Sequence, residues 1–433
     1  MPHPCRALSG MGGKYRFRLA LSLLLAAACA APAQTLARPG LAGSGLNTDP
    51  WWKQAVFYQV SSSPASPPGG SPAEQLRLQQ SADYKSIAAR LDALHTLGVD
   101  ALLVPTPALP GLPAPDPALD DFDELIHQAS QRGIRVLVTL PGPSATADLA
   151  PTARFWLSRG VAGFHLVTPP SAGPQDYQTL VQTLRKITNS VVGQRIVLSD
   201  FDPAASPTPL ASSASRQASR STSTSRATRS ADSTGAQLQI DARMSQLDLP
   251  DAASLRSLLA QSLASPNLLL DFHPPAQPPR SPDHWPALAR VMAAIQLTTH
   301  SAALIDADQS LALQPTTPPS PTLADWYSKL GALHHGNATV RYGSITTLNF
   351  DSQNALVWVM RPAPNSGLAP PVVVACNLSS SPLQLSLTSA IHSLNLRGSF
   401  LLTLLRSDQA MGAQDLGSVT LPPFAVYIGE LHR

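Results

Sequence analysis

At 433 residues, with 43% of them hydrophobic, the chain is long enough for two or three domains and for cores that need no covalent cross-links. A formal net charge of +3 over that length excludes a global electrostatic case for nucleic-acid binding. Charged residues make up only 13% against about 25% in an average protein, and the 43 prolines predict many rigid loops.

The chain begins with features of an export signal. Lys14, Arg16 and Arg18 form a basic region, Leu19 to Ala31 an apolar one, and Ala31-Pro32-Ala33 a small-x-small site that predicts a mature start at Gln34. The apolar stretch falls short of the roughly 20 residues a spanning helix needs, so a signal peptide over 1–33 and a secreted or periplasmic protein are expected, without a transmembrane anchor. Ala26-Ala27-Ala28-Cys29 partly resembles a lipoprotein site but lacks the usual leucine three residues before Cys29. Cys5 and Cys29 would leave with the signal, so Cys376, inside the apolar run from Pro370 to Leu378, is read as a buried strand cysteine rather than a nucleophile or ligand.

Residues 34–50 read as a linker. From Trp51 the chain alternates short strand-like runs with amphipathic helical stretches, the signature of an α/β fold with parallel strands. Strands are expected at Val56–Val60, Ala101–Val104, Ile134–Leu140, Gly163–Val167, Arg195–Ser199, Gln237–Ile240, Leu268–Leu270 and Ala302–Ile305. Helices are expected at Tyr84–Leu97, stopped by Gly98, and at Phe122–Gln131, Ala153–Ser158, Tyr177–Ile187, Ala252–Ala264 and Trp285–Thr299. Eight strands with intervening helices fit the size of a (β/α)8 barrel, here 51–320. Residues 203–235, rich in Ser, Ala, Thr and Arg, have almost nothing to bury and read as a disordered insertion. Arg216, Arg220, Arg226 and Arg229 lie within it without interleaved aromatics, so it is not read as a polymer-binding patch. After the proline-rich 315–321 come a helix at Leu323–His334 and then short alternating strands, together read as an all-β C-terminal sandwich domain over 323–433.

Seven segments, in order, resemble the α-amylase family, glycoside hydrolase family 13. They are Trp51 to Val60, Leu91 to Leu102, Asp121-Phe122-Asp123-Glu124-Leu125, Arg132 to Leu137, Arg154 to Val167, Ala324 to Leu330 and Leu421 to Tyr427. The resemblance implies the same barrel-plus-tail architecture. It also shows where the family's chemistry should stand. In the fourth-strand motif the nucleophilic Asp position is Val167, and the supporting Arg position is His165. The third-strand D-x-x-x-N-H falls on Thr139, Pro143 and Ser144. The acid/base Glu falls on Asp200, the seventh-strand N-H-D on Phe272-His273-Pro274, and the G-D-E after strand eight on Ala307-Asp308-Gln309. The loop after strand three is about a dozen residues, an ordinary connection, where many family members insert a subdomain that walls the cleft. An open cleft is expected.

A retaining glycosidase needs two carboxyl groups about 5–5.5 Å apart, and a valine supplies none. Asp200, His165 and His273 are therefore candidate remnants, with rim residues tied only by solvent or hydrogen bonds as the plainer reading; Asp271 is read the same way. Asp306 and Asp308 read as loop caps because no oxygen-ligand spacing clusters around them. Trp51 and Trp52 read as core packing rather than a sugar platform. No phosphate loop, zinc spacing or G-x-S-x-G motif is present, and no cofactor or metal is implied. Three functions stay open: an inactive amylase-like protein of carbohydrate metabolism that binds an α-glucan, another glycan or a protein partner; an active α-glucan or α-glucoside hydrolase or transglycosylase using Asp200 or Asp271; and a decayed gene product.

Overall fold

The computed structural model describes residues 50–60, 83–105, 117–140, 149–167, 174–200, 235–246, 251–265, 267–272, 285–299, 301–306, 322–350, 352–364, 366 and 368–433. The signal-like segment, the linker, nearly all of the Ser/Arg-rich stretch, Pro143, Ser144, His273 and Asp308 lie outside them. No helix among the described residues is long and apolar enough to cross a membrane.

Eight strands close into an all-parallel barrel in chain order: β1 Val56–Gln59, β2 Ala101–Pro105, β3 Arg135–Leu140, β4 Gly163–Leu166, β5 Ile196–Asp200, β6 Leu238–Asp241, β7 Leu268–Asp271 and β8 Ala302–Asp306. The ring is sealed where Phe57 of β1 pairs with Ala101 on one side and Leu304 on the other. Alternation along each strand divides the apolar residues between two cores. Phe57, Leu103, Leu137, Leu198, Leu269 and Leu304 fill the barrel. Tyr58, Leu102, Val138, Phe164, Val197 and Leu270 face outward into the layer covered by helices.

Three helices start earlier than their apolar periodicity suggests, while those at Ala252, Trp285 and Leu323 start where expected. Pro117–Gln131 and Pro174–Asn189 each begin on a proline, and Leu149–Ser158 carries Pro151 in its first turn. A proline there loses no helical hydrogen bond and its fixed φ suits the helix. The expected single helix Tyr84–Leu97 is interrupted at Arg90, whose φ of −99° and ψ of −2° form a turn before Leu91–Leu97. Tyr84, on the first segment, donates to the Pro105 carbonyl at 3.0 Å. Gly98 ends the second segment at φ 89°, as its position in the sequence suggests.

Helix Leu323–Gly336, opened by a capping box between Thr322 and Asp325, belongs spatially to the barrel rather than to the tail. Trp326 donates to the Arg290 carbonyl on helix Trp285–Thr298 at 2.9 Å, and Ser328 to the Thr96 carbonyl at 3.1 Å. Gly331 rests so close to the chain at Leu97 that a Cβ would fall 2.4 Å from the Leu97 oxygen.

The tail is an antiparallel six-stranded sheet, ordered β14 (Ala413–Asp415), β13 (Phe400–Arg406), β16 (Val426–His432), β11 (Val372–Asn377), β10 (Ala355–Arg361), β9 (Ser344–Leu348). A two-stranded sheet, β12 (Leu383–Leu385) with β15 (Val419–Leu421), accompanies it. Along β10, Leu356, Trp358 and Met360 join the core shared with the barrel helices, while Ala355, Val357 and Val359 join a second core that includes residues of β12 and β15. Cys376 is fully buried in β11. Two short helices, Ala338–Tyr342 and Thr388–Ser393, stand where the sequence suggested only strands. The first is held by Asn337, whose Oδ1 accepts from the Thr339 and Val340 amides at 2.9 and 3.1 Å.

Candidate functional site

In a parallel barrel the C-terminal ends of the strands form the mouth, where side chains have no further barrel layer above them. The inward-facing register of β3, β5, β7 and β8, carried past Leu137, Leu198, Leu269 and Leu304, reaches Thr139, Asp200, Asp271 and Asp306. On β4 the same register holds His165 and then Val167 just beyond the strand. Three aspartates and one histidine are thus presented at the mouth.

Of these, the structure brings His165 and Asp200 together. His165 Nε2 lies 3.3 Å from Asp200 Oδ1, with the histidine side chain 5% exposed and the carboxylate 38% exposed. Because a carboxylate only accepts, a neutral His165 carries its proton on Nε2, which leaves a lone pair on Nδ1. That nitrogen is buried and has no hydrogen-bond partner. Asp271 closes β7 and is buried, Asp306 closes β8 half-buried, and Val167 stands half-buried past β4.

Two features of the mouth are not evident from motifs. Tyr177, on helix Pro174–Asn189, donates to the Leu166 carbonyl at 2.6 Å, and its hydroxyl oxygen accepts from the Asp200 amide at 3.2 Å. It therefore ties the end of β4 to the end of β5 and sets where Asp200 stands. At the end of β6, buried Asp241 receives both Nε and Nη2 of Arg243 at 2.8 and 2.6 Å, and Arg243 Nη1 reaches Gln261 Oε1 at 2.5 Å. The Asp-x-Arg spacing directly after a strand was the available signal, and it describes a bidentate ion pair that braces the loop.

The opposite end of the barrel is closed by Trp51 and Trp52 on the 3-10 helix Trp51–Gln54. They pack edge to face with centroids 6.1 Å apart, and the Arg135 guanidinium lies 4.3 Å over the Trp51 ring. Their place under the barrel interior fits packing rather than sugar stacking at the mouth.

Chemically, the mouth offers one exposed carboxylate hydrogen-bonded to a histidine. It can accept hydroxyl hydrogens or exchange a proton with a bound group. Val167, just past β4, has no lone pair to offer.

No protein-family model matches the chain. Among curated proteins it resembles trehalose-6-phosphate hydrolase of Escherichia coli (strain K12), 35% identical over 103 residues, a stretch covering 21% of this chain and 17% of that protein. Among solved structures it is similar to isomaltulose synthase from Klebsiella sp. LX3, with a TM-score of 0.58, 13% identity, and coverage of 89% of this chain and 100% of that one. A variant of Bacillus licheniformis trehalose-6-phosphate hydrolase gives a TM-score of 0.59 at 11% identity, covering 89% and 100%. Trehalulose synthase from Pseudomonas mesoacidophila MX-45 gives 0.56 at 14%, covering 88% and 99%. At these identities the likeness carries the fold, an eight-stranded barrel with a β-rich C-terminal region.

Proposed function

We propose that this chain is an exported protein on the α-amylase scaffold that has lost the retaining glycosidase reaction and binds a glycan at the barrel mouth. The observation that supports the loss is Val167, just past the fourth strand of a closed eight-stranded barrel. A retaining reaction needs a second carboxyl group about 5–5.5 Å from the acid/base. Asp200 is present for one role, and the valine leaves the other empty. Export rests on the basic and apolar segments ahead of Ala33, and the organisation into leader, linker, barrel and β-rich tail is part of the same reading. The solved relatives that share the fold include a hydrolase and two synthases named for sugars, which favours a sugar ligand over a protein at this mouth.

A second reading keeps activity with non-standard carboxylates. It is favoured by the three aspartates, Asp200, Asp271 and Asp306, in the inward register of the mouth. Hydrolysis of aryl α-glucosides and soluble starch by the purified protein, beside Asp200→Ala, separates the two. The expected result is no turnover by either protein, together with retention on a glycan array that Asp200→Ala weakens. Turnover abolished by Asp200→Ala would establish the second reading, with Asp200 as acid/base.

A further inference from the structure

Tyr177 stands in the first turn of helix Pro174–Asn189, the helix that follows β4. Its half-buried ring packs on the apolar layer around the barrel, while its hydroxyl reaches the junction of two strand ends. The parallel ladder between β4 and β5 can be counted by twos from the Ile196 amide, which donates to the Ala162 carbonyl at 3.1 Å. Its last rung then falls on the Leu166 carbonyl and the Asp200 amide. These are the two groups that the Tyr177 hydroxyl engages, donating to the first at 2.6 Å and accepting from the second at 3.2 Å. The hydroxyl therefore clamps both ends of one rung.

That rung is the final one available to Asp200 on the β4 side, because Leu166 ends β4 as Asp200 ends β5. On its other side Asp200 pairs with Ile240 of β6. The side chain itself meets His165 Nε2 at 3.3 Å, a long hydrogen bond, and 38% of it is open to solvent. His165 is almost fully buried, so Asp200 is the member of the pair that can swing away and the one a ligand meets. A long bond partly in water holds a carboxylate weakly, and a backbone fixed one residue from the strand end holds it better. The hydroxyl supplies that fixing from outside the sheet.

We infer that Tyr177 is a positioning residue of the mouth: by bridging the last rung of β4 and β5 it keeps Asp200 on His165 and presents the carboxylate to a ligand in one place. The placement of Asp200 is a property of the chain alone. Its effect on a ligand rests on the reading of the mouth as a glycan site.

The test uses the full purified chain and Tyr177→Phe, which removes one oxygen and leaves the packed ring. Nitrogen NMR of the imidazole rings, with His165 assigned through His165→Gln, reads the chain without any ligand. At alkaline pH the wild-type His165 should be a single tautomer protonated on Nε2, and Tyr177→Phe should move both nitrogens towards the average of the two tautomers. A merely structural role would lower the urea midpoint without moving these signals. Unchanged signals in the variant, or a wild-type ring protonated on Nδ1, overturn the positioning. Calorimetry with maltotriose then reads the ligand through a double-mutant cycle. Tyr177→Phe should weaken binding about five- to tenfold in the wild type and leave it unchanged in an Asp200→Ala background. Equal loss in both backgrounds means that Tyr177 does not act through Asp200, and overturns the inference. No binding of maltotriose by the wild type counts against the glycan reading of the mouth, while the His165 signals still decide the role of Tyr177. Tyr177→His serves if Tyr177→Phe fails to fold.

Discussion

The mouth of the barrel and the seam that closes it use the same kinds of polar residue to opposite effect. Along the seam, where the last barrel helices meet β7, β8 and the start of the barrel, Gln296 and Tyr327 match one another and their neighbours, while the Thr299 hydroxyl stays buried without a partner. Gln296, fully buried, donates to the Leu270 and Leu304 carbonyls at 3.1 and 2.9 Å and accepts from the Tyr327 hydroxyl at 2.9 Å. His334 places its two ring nitrogens 2.9 Å from the Leu297 and Gln54 carbonyls, and the neutral ring donates to one of them; His335 lies 2.9 Å from the Gly98 carbonyl. At the mouth, His165 keeps a buried nitrogen with no partner, and Asp200 stays partly in water. Unmatched polar groups cost stability and are tolerated most often at sites that serve something other than the fold. The segments of this sequence that resemble the amylase pattern include those that build the wall and the seam.

The sharpest way to break this contrast is at Gly163, which opens β4 at φ 153°. A Cβ there would lie 2.0 Å from the Ile196 carbonyl oxygen of the neighbouring strand. Gly163→Ala must push β4 from β5 and should cost about 3 kcal/mol or more, read from the midpoint of urea unfolding. A cost below about 1 kcal/mol would mean that the wall tolerates change as well as the mouth does.

Acidification probes the seam next. Burial, and after it the neighbouring His335, push the His334 pKa down to about 4, outweighing the Gln54 and Leu297 carbonyls and Asp100, which favour the protonated ring. In the unfolded chain a histidine titrates near 6.5, so the unfolded state binds more protons between the two values and stability is lost as the pH drops through that window. Below about pH 4 the histidine adds no further loss. The difference corresponds to up to about 3 kcal/mol. In His334→Gln the part of the pH 4–6.5 slope owed to this residue should vanish in pH-dependent urea titrations, and an unchanged slope would assign the acid sensitivity to carboxylates elsewhere.

Gln296→Leu should cost about 2 kcal/mol, because it strips a donor from two buried carbonyls and the acceptor from a buried tyrosine hydroxyl at once. Burial, and then Asp271, raise the Tyr327 pKa, so its hydroxyl cannot escape the loss by ionising. Tyr327→Phe in the Gln296→Leu background should recover part of the stability, since it removes a buried hydroxyl that has lost its Gln296 acceptor.

How much of this was readable in advance follows the same division. The eight strands followed from β-branched and leucine runs, and the structure shifts their ends by about one residue. Ala252, Trp285 and Leu323 open their helices as the periodicity suggests, but two others begin on Pro117 and Pro174, several residues before the first residues of their apolar period. The helices Ala338–Tyr342 and Thr388–Ser393 are too short to show a period, and Asn337 was the one local cue to the first. At the mouth, the motif alignment gave His165, Asp200 and Val167 their places. Pairing of the first two depends on β4 and β5 being neighbours, which Gly163 facing Ile196 makes concrete. The Tyr177 tie was invisible, because it links a helix in one unit to strand ends on either side through a single hydroxyl.

The smallest expected effect is at the mouth itself, and it carries the most information about history. His165→Leu removes the buried Nδ1 that has no partner and the 3.3 Å contact to Asp200, whose carboxylate already meets solvent. Removing an unsatisfied buried group offsets the loss of a long, partly solvated hydrogen bond. The expected change is within about 0.5 kcal/mol, or a slight gain in stability. The same substitution at the seam, His334→Leu, strips the donor from one of the two carbonyls the ring faces and should cost about 2 kcal/mol. Measured side by side by urea unfolding, the two histidines differ only in what surrounds them. If His165→Leu proved as costly as His334→Leu, the mouth would be part of the load on which the fold rests. The survival of a histidine opposite Asp200 would then need no functional explanation.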